Sequence, residues 1–327
     1  MGEALGHIPI MPEETLELLA PAAGETYADL TAGLGGHASA VASRLGGGGR
    51  VVLCDLDPGN LRRAEAAVRR ALRPEEPEAA DVVAYHGSFV GLPDRMIGQG
   101  VRADCVLADL GFASNQVDDP ARGLSFRSDG PLDMRLDPTS GATAAELVAS
   151  LPEDRLAKII FEYGEERASR RVARRIVEAR AREPITTTKQ LADIARAAVG
   201  PPRAPRRPGV KVIDSATRTF QALRIAVNDE LGALEALLGS IRESVERIAR
   251  GQEQRSWLHA GARVGIMSFH SLEDRLVKRA FAGLAEDGLG ERVTRKPAVA
   301  GEVERERNPR SRSAKLRVVR VGDPRYN

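Results

Sequence analysis

Acidic residues and glycines at the ends of apolar runs are the residues of this sequence best placed to do chemistry. Asp29 and Asp55 each close a short apolar run, and Asp109 closes another further along the chain. Between the first two runs stands GLGGHA, residues 33–38, which fits the G-x-G-x-x-A pattern of dinucleotide-binding turns. Glycines there permit a tight turn and a close backbone approach to a ligand. Asp55 is placed to accept hydrogen bonds from ribose hydroxyls.

Apolar runs of strand length alternate with helical segments in the first third of the chain. The predicted strands are residues 27–31, 50–54, 82–86 and 104–110. An Ala-rich helix follows the glycine turn, and a second helix follows Asp57, which is its predicted N-cap. This alternation predicts a doubly wound, mostly parallel sheet, which would bind ligands beyond the carboxyl ends of its strands. The residues predicted to lie at such ends are Asp29, Asp55, Phe89 and Asp109.

The alternation stops at Gly111, where a long polar loop begins. Residues 111–138 are dense in Gly, Pro, Asp and Ser, and a loop of this length inside a domain is usually functional. Helical patterns and a basic, Pro-rich linker follow. The later predicted elements are a long helix over 215–249, a strand over 263–269, a helix over 270–281 and a strand over 315–321. We therefore predict an α/β domain, residues 1–112 and 216–327, interrupted by an all-helical insertion, residues 113–215.

The composition limits the classes of protein to which the chain could belong. It has 327 residues, of which 42% are hydrophobic and 4% aromatic, and its formal net charge is +2. Both cysteines, Cys54 and Cys105, fall in predicted buried strands, so we expect a reducing cytoplasm and no disulfide framework. The five histidines show no metal-ligand spacing, and no apolar run approaches the roughly 20 residues of a membrane span. We expect no metal, membrane anchor or signal peptide, and a homodimer is compatible with the sequence.

The glycine turn alone admits two cofactors, NAD and S-adenosylmethionine. Asp29, just before the turn, is placed to hold the cationic amino acid part of S-adenosylmethionine, and Asp109 is placed beside a transferred methyl group. No His/Arg/Asp set for hydride transfer follows downstream. These observations favour a methyltransferase and leave an NAD-dependent oxidoreductase as the alternative.

A set of ordered segments resembles one bacterial family. The segments are HIPIM…E, DLTAGLGGH, DLDP, HGSF, DLGFAS.Q.D…RGLSF…DGPLDMR, IIFEYGEE, ATRTFQALRI.VN.EL, SFHSLEDRLVKR and NPRSRSAKLR. From His7 to about Arg317 they are similar to the small-subunit rRNA methyltransferase H family (RsmH, also called MraW). The resemblance implies a Rossmann-like class I methyltransferase with a seven-stranded sheet. It also implies methylation of the exocyclic N4 of one cytidine in the decoding (P-site) region of 16S rRNA, with S-adenosylmethionine as the methyl donor.

The resemblance also implies which residues hold the cofactor. They are Gly35, Gly36, His37, Asp55, Phe89, Asp109 and Gln116. The N–H groups of the glycine turn are placed to bind the methionine carboxylate. Phe89 is placed to stack on adenine, although a Phe after a strand is also an ordinary core residue. His37 opens a helix, so a capping role is the alternative for it.

Asp109 is the predicted catalytic residue. The amino group of cytosine is a poor nucleophile because its lone pair is delocalised into the ring. Acceptors for its N–H bonds, here Asp109 and the carbonyl of Leu110, would favour the attacking form. Phe112 could stack on a flipped cytosine, by analogy with the Asp-Pro-Pro-aromatic loop of amino-methylating enzymes. His270 is a further candidate near the target base, although the Ser-rich junction around it could equally be a helix cap.

Arginines concentrated in the insertion and the linker indicate RNA. Arg170, Arg171, Arg174 and Arg175 repeat at helical spacing. Such a face suits RNA, and it equally suits a solvated surface paired with Glu165, Glu166 and Glu178. Phosphate contact is predicted for Arg203, Arg206, Arg207, Lys211, Arg310 and Arg312. The expected partner is therefore 16S rRNA or the small ribosomal subunit.

Two positions depart from the family pattern. Asp214-Ser215 stands where the family generally has a His before ATRTF, and Ala113 stands where a second Ser is usual. These departures concern target selection more than cofactor binding. A second interpretation of the whole chain is a non-catalytic RNA-binding or assembly protein that retains the fold. Thermal stabilisation by S-adenosylmethionine without methyl transfer would indicate it.

Overall fold

The chain divides into two compact units in the computed structural model, which describes residues 9–72, 80–201 and 214–322. Unit 1 comprises Met1–Gly111 and Leu231–Asn327, and unit 2 comprises Phe112–Glu230. The predicted division differs at its second boundary, which we placed at residues 215 and 216. The helix Thr217–Asn228 belongs to unit 2, where Phe220 packs edge-on against Phe126 with ring centroids 4.7 Å apart.

Unit 1 is built on a seven-stranded sheet. Its strands are β1 (Thr26–Asp29), β2 (Arg50–Asp55), β3 (Asp81–His86), β4 (Ala103–Asp109), β5 (Leu258–Ser268), β6 (Gly290–Arg292) and β7 (Lys315–Val321). Their order is β3-β2-β1-β4-β5-β7-β6, and β7 alone runs antiparallel to its neighbours. The parallel order 3-2-1-4-5 is that of doubly wound nucleotide-binding sheets. The predicted fold class is confirmed.

Helices cover both faces of this sheet. Those of unit 1 are α1 (Pro12–Leu19), α2 (Gly36–Leu45), α3 (Pro58–Ala71), α4 (Leu92–Gly98), α11 (Glu230–Ala249), α12 (Ser271–Glu286) and α13 (Glu302–Arg307). Alternate strand residues enter two separate cores: Tyr27 packs with α1, α2 and α3, and Ala28 packs with α4, α11 and α12. Burial on both faces explains why the strands read as continuous apolar runs. No helix of the described ranges is both long and apolar enough to cross a bilayer.

Unit 2 is a helical bundle. Its helices are α5 (Ser114–Asp118), α6 (Ala144–Ser150), α7 (Glu153–Gly164), α8 (Ser169–Arg180), α9 (Thr188–Val199) and α10 (Thr217–Asn228). Their apolar faces meet in one core that includes Ile160, Ile176 and Leu191. The long helix predicted over 215–249 is instead two helices, because Asp229 adopts a left-handed conformation (φ 49°) between α10 and α11.

The polar loop that opens unit 2 is fixed by side-chain hydrogen bonds. Arg122 Nη2 donates to the carbonyls of Arg135 (3.1 Å) and Leu136 (2.7 Å). Asn228 of α10 accepts the Leu136 N–H (2.7 Å) and donates to the Met134 carbonyl (2.8 Å). Met134 is buried and adopts φ 65°, which a side chain of this size seldom does. The neighbouring contacts therefore hold this segment in a conformation of higher energy.

Candidate active site

Three carboxylates stand at the carboxyl edge of the sheet in unit 1. Asp29, the last residue of β1, is level with Leu53 of β2 and with Leu107 of β4. Asp55 and Asp109 lie two residues further along those neighbouring strands. Because side chains alternate along a strand, all three carboxylates project from the same face of the sheet. The predicted convergence at this edge is confirmed for these three residues.

Burial gives these three acids unusual proton affinities. It raises the pKa of Asp29 to about 7, of Asp55 to about 6 and of Asp109 to about 8. Their mutual repulsion adds to the effect, since the charge of Asp55 raises the pKa of Asp29, and Asp29 and Glu273 raise that of Asp109. An edge where negative charge is this unfavourable favours a bound cation.

The carboxylate of Asp55 already organises the turn beside it. Its Oδ2 accepts the Gly33 N–H (2.7 Å) and its Oδ1 accepts the Asp57 N–H (2.8 Å). A carboxylate oxygen has two lone pairs, so Asp55 keeps acceptors for a ligand. Asp57 caps α3 as predicted, by accepting the N–H groups of Gly59 (2.8 Å) and Asn60 (3.2 Å).

The two carboxylate oxygens of Asp109 have different surroundings. Its Oδ1 is buried and accepts no hydrogen bond from any described residue, while its Oδ2 lies 3.8 Å from Nε2 of His37. Its backbone N–H donates to Thr31 Oγ1 (2.7 Å), which ties β4 to the residue after β1. A buried acceptor without a partner costs about 1–3 kcal/mol, so this oxygen is a site for an incoming donor.

The glycine turn approaches another helix. Gly35 has φ +82°, and a Cβ atom there would lie 2.8 Å from Ala64 Cα and 2.9 Å from Ala64 O. Gly35 is therefore required for the packing of α2 against α3. The N–H of Gly35 donates to Ala32 O (2.8 Å), and that of Gly33 is used by Asp55. These two N–H groups are committed within the protein, which leaves fewer donors for a carboxylate than we expected.

His37 and Phe89 occupy the same end of unit 1. His37 is buried in the first turn of α2 with its ring toward Asp109, and Gly35, not His37, is the N-cap of that helix. The N-cap position of α2 thus belongs to Gly35, and ligand contact by His37 stays a prediction. Phe89 opens a 3₁₀ turn after β3 and packs, half-buried, against the core that α4 shares with α11. It thus borders this core, and its stacking on adenine stays a prediction.

In unit 2, Phe112 and Gln116 both have partners of their own. The Arg224 guanidinium lies 4.9 Å from the Phe112 ring centroid and makes two hydrogen bonds, 2.7 and 2.8 Å long, to Glu230. Gln116 is buried, and its Oε1 accepts the Ala113 N–H (2.9 Å) at the start of α5. The role of Arg224 was not predicted, because Glu230 stands six positions further along the chain and no local pattern indicates the pair.

His270 is the N-cap of α12. Its Nδ1 accepts the Glu273 N–H (3.4 Å), and Glu273 in return accepts the N–H groups of Phe269 (2.8 Å) and His270 (3.2 Å). His270 Nε2 also lies 3.1 Å from Glu273 Oε1. This reciprocal arrangement is a capping box, which supports the structural alternative for His270.

We therefore expect His270→Asn to keep turnover within a few-fold of wild type, because Asn caps helices well. His270→Ala should lose about 1 kcal/mol of unfolding free energy through the lost cap, with a similarly small change in turnover. Urea unfolding and initial rates measure the two effects. A loss of turnover above about 100-fold in the Asn variant, with unchanged stability, would instead make His270 a catalytic acid or base.

The predicted RNA-contacting residues are only partly described. Arg203, Arg206, Arg207 and Lys211 lie outside the described residues. Arg310 and Arg312 are exposed in the 3₁₀ turn Pro309–Ser313, directly before β7. Leu316 of β7 is level with Met267 of β5, which is level with Asp109 of β4. This turn therefore enters β7 at the edge that carries Asp109.

Asp214, one of the two departures from the family pattern, has a structural role in unit 2. Its carboxylate accepts three hydrogen bonds from Arg196 (2.9–3.2 Å) and one from the Ala216 N–H (2.9 Å). The Arg196 guanidinium lowers the pKa of Asp214. Arg196 itself lies 5.4 Å from the Phe126 ring centroid. Asp214 thus joins the start of α10 to α9.

Comparison with known proteins shows the protein family to which the chain is similar over most of its length. A family model described as the MraW methylase family matches residues 4–321. A protein of Acidobacterium capsulatum called "Ribosomal RNA small subunit methyltransferase H" is 44% identical over 96% of this chain and 97% of its own length. Proteins of the same name from Sorangium cellulosum (44% identity, 96% of this chain and 90% of the relative) and Koribacter versatilis (41%, 97% and 94%) are similar in extent.

Proposed function

We propose that this chain, which belongs to the MraW methylase family and is a methyltransferase, acts on the RNA of the small ribosomal subunit with S-adenosylmethionine as donor. The proposed target is the exocyclic N4 of one cytidine in the decoding region of 16S rRNA. The observation that carries this proposal is Oδ1 of Asp109 at the carboxyl edge, which is buried and has no hydrogen-bond partner among the residues that the structure describes. An amino group is a donor that fits such an acceptor.

The carboxyl edge fits S-adenosylmethionine better than NAD. S-adenosylmethionine, when bound, supplies a methyl group on a positively charged sulfonium. Asp29 and Asp109, whose pKa values are raised to about 7 and about 8, would be stabilised in their ionised forms by a cation. NAD carries an anionic pyrophosphate instead, which an edge lined with buried carboxylates would repel. Asp55 retains acceptors for the ribose hydroxyls that either cofactor presents.

Asp109 is the residue we assign to the chemical step. Its free oxygen would accept an N–H of the cytosine amino group, which draws the nitrogen lone pair out of conjugation with the ring. Ordered placement of that nitrogen by a fixed acceptor lowers the entropic part of the barrier. The Thr31 hydroxyl and the strand pairing of Asp109 with Met267 hold the acceptor in place. The amino proton released by methylation has Asp109 as its nearest assigned acceptor.

The proposed function is tested by methyl transfer to rRNA. The purified protein is incubated with labelled S-adenosylmethionine and either naked 16S rRNA or small subunits from a strain that lacks this enzyme. We expect label in N4-methylcytidine, identified by nucleoside mass spectrometry. Thermal stabilisation by S-adenosylmethionine with no labelled nucleoside would support the non-catalytic RNA-binding alternative, and stabilisation by NADH alone would support the oxidoreductase.

A variant of Asp55 tests the proposed ribose contact. Asp55→Ala removes charge-assisted hydrogen bonds of about 1.5–3 kcal/mol, so the Kd for S-adenosylmethionine should rise about 10- to 100-fold. Isothermal titration calorimetry measures this Kd. Asp57→Ala is the matched control, because it removes the neighbouring carboxylate and the α3 cap without touching the proposed contact. Equal weakening in both variants would show a general loss of local structure and refute the assignment.

Arg310 and Arg312 are proposed as phosphate contacts of the substrate RNA. Both guanidinium groups are exposed, and the turn that carries them enters β7 at the edge of Asp109. Ser311 between them is buried, and its hydroxyl donates to Asn308 O (2.8 Å), so the turn is anchored. Arginines on a fixed turn suit phosphate binding because less side-chain and backbone freedom is lost on binding.

A further inference from the structure

Helix α8 carries a cluster of arginines on its solvent side. Arg170, Arg171, Arg174 and Arg175 are all exposed, and they follow the spacing i, i+1, i+4, i+5 over two successive turns. We call these four residues the arginine face. Exposed arginines also flank the helix at positions 167 and 182. The helix contains one acid, Glu178, so its local charge is strongly positive.

The other side of α8 fixes the direction of the arginine face. Val172, Ala173 and Ile176 are fully buried in the core of unit 2. Val172 and Ile176 are one turn apart, as are the two pairs of the arginine face, so the helix is amphipathic in the ordinary sense. Its packing against α7 and α9 prevents rotation of the charged side toward the core. The guanidinium groups are therefore presented on a rigid scaffold.

In the described part of the chain, none of the three acids expected to neutralise this face, Glu165, Glu166 and Glu178, forms an ion pair with it. Glu166 is buried, accepts the Ala168 N–H (2.7 Å) and lies 3.8 Å from the Arg218 guanidinium. Across the described residues, Arg174 alone of the four has an ion pair, at 3.9 Å from Glu153, and both of those side chains are largely exposed. Such a pair contributes about 0–1 kcal/mol. The solvated, salt-bridged alternative therefore lacks the pairs on which it depended.

Four like charges in two turns repel one another, and an occupant with regularly spaced negative charges would relieve that repulsion. The two arginine pairs are about 6 Å apart along the helix axis. Phosphates repeat regularly along a nucleic acid strand, and the planar guanidinium binds them through two donors.

We propose that the arginine face of α8 binds the phosphate backbone of the substrate RNA. The inference rests on the proposed function for the identity of the RNA. It adds a contact surface that reads backbone and not base sequence, since arginine–phosphate pairs carry no sequence information. Its contribution is therefore to affinity and salt dependence, and the chemical step does not depend on it.

The chain contains its own control for this proposal. Helix α3 also carries four exposed arginines, Arg62, Arg63, Arg69 and Arg70. Its two pairs are seven residues apart, and Arg69 is already bonded to Glu65 (2.8 and 3.1 Å). The α8 variant R170Q/R171Q/R174Q/R175Q and the α3 variant R62Q/R63Q/R69Q/R70Q therefore change the net charge equally.

The experiment measures the Kd of the wild-type protein and of both variants for naked 16S rRNA by fluorescence anisotropy. The salt concentration is varied from about 50 to about 200 mM, a range over which phosphate contacts change the affinity strongly. We expect the slope of log K against log salt to fall by about 3 in the α8 variant, from about 0.7–0.9 for each of four contacts. The α3 variant should keep the wild-type slope. Thermal melting shows whether each variant is folded. If the fourfold α8 variant is unfolded, the double variant R171Q/R175Q replaces it, and its expected slope change is about half as large.

Three results would overturn the inference. Equal slope changes in the α8 and α3 variants would indicate a general effect of charge. A normal slope on naked rRNA, with weaker binding to assembled small subunits, would indicate an acidic protein partner. A methyl-transfer assay of the wild-type protein separates the two proposals. If the wild-type protein labels rRNA and the α8 variant keeps the wild-type salt slope, only the proposed role of the arginine face is refuted. If the α8 variant has a reduced slope but the wild-type protein labels no rRNA, only the proposed function is refuted.

Discussion

Asp109→Asn is expected to reduce methyl transfer by about 100- to 10,000-fold, the range for loss of a positioned acid–base or electrostatic group. Asn has the shape of Asp but a weaker acceptor oxygen and no affinity for the released proton. The Kd for S-adenosylmethionine should change much less than turnover. Single-turnover rates with saturating cofactor and RNA measure the chemical step directly.

Asp109→Asn should also raise the free energy of unfolding relative to the wild-type protein, and this difference should grow as the pH rises. The pKa of Asp109 is about 8 in the folded state and near its ordinary value of 3.8 when unfolded. Between these values the folded state holds a proton that the unfolded state has lost, so rising pH destabilises the wild-type fold through this group. Asn carries no such charge. Urea unfolding should show the variant about 1–3 kcal/mol more stable at pH 9, with little difference at pH 4.

Asp94→Asn, on an exposed carboxylate of α4, is the control for both effects and should resemble the wild-type protein. The assignment of Asp109 would be refuted by near-normal turnover in a folded Asp109→Asn enzyme. Lower stability of that variant at pH 9 would show that the ionised Asp109 of the wild-type protein makes favourable contacts, contrary to the lack of a partner for its buried Oδ1 among the described residues.

Gly35→Ala is expected to cost about 2–4 kcal/mol of unfolding free energy. About 1 kcal/mol comes from the left-handed backbone, and a further 1–3 kcal/mol comes from the clash with the backbone of α3. Because α3 must move to admit the methyl group, the loop of Asp55 and Asp57 moves with it. Cofactor affinity should therefore fall along with stability. Thermal unfolding and calorimetric titration measure the two losses.

Gly48→Ala separates the two causes. Gly48 has φ +77°, close to that of Gly35, and nothing lies within 4 Å of the position its Cβ would take. It should lose only the backbone part, about 1 kcal/mol, and keep its affinity for the cofactor. If the two variants lost equal stability, the contact between α2 and α3 would not be the reason for the glycine.

Elements with strong periodicity were predictable, and those decided by tertiary contacts were not. The buried strands and the Asp57 cap follow from local patterns, and the structure has them within a few residues. Strand β6 is three residues long and polar, so nothing in its sequence marks it. It forms because β7 offers an edge for pairing. The break at Asp229 was likewise hidden, since neither Gly nor Pro stands there.

Residues of the candidate site show the same division. Strand ends predicted the edge shared by Asp29, Asp55 and Asp109, because alternation of strands and helices fixes which ends converge. The partners of those residues were beyond prediction. The glycine spacing that indicates a bound ligand is also the spacing that lets α2 pack closely against α3, and the sequence does not distinguish these two roles. The packing role is shown only by the short distance from a Cβ at Gly35 to the backbone of Ala64.

The order of the strands has a consequence for synthesis on the ribosome. The chain completes β4 at Asp109, and its partner β5 begins only at Leu258. At about 5–20 residues per second, some 150 residues take roughly 8–30 s to emerge. Throughout that interval β4 has an unpaired edge, and the sheet face that α11 and α12 later cover is open to water. Unit 2 is contiguous and emerges whole within the same interval, so the nascent chain carries a finished bundle beside half a sheet.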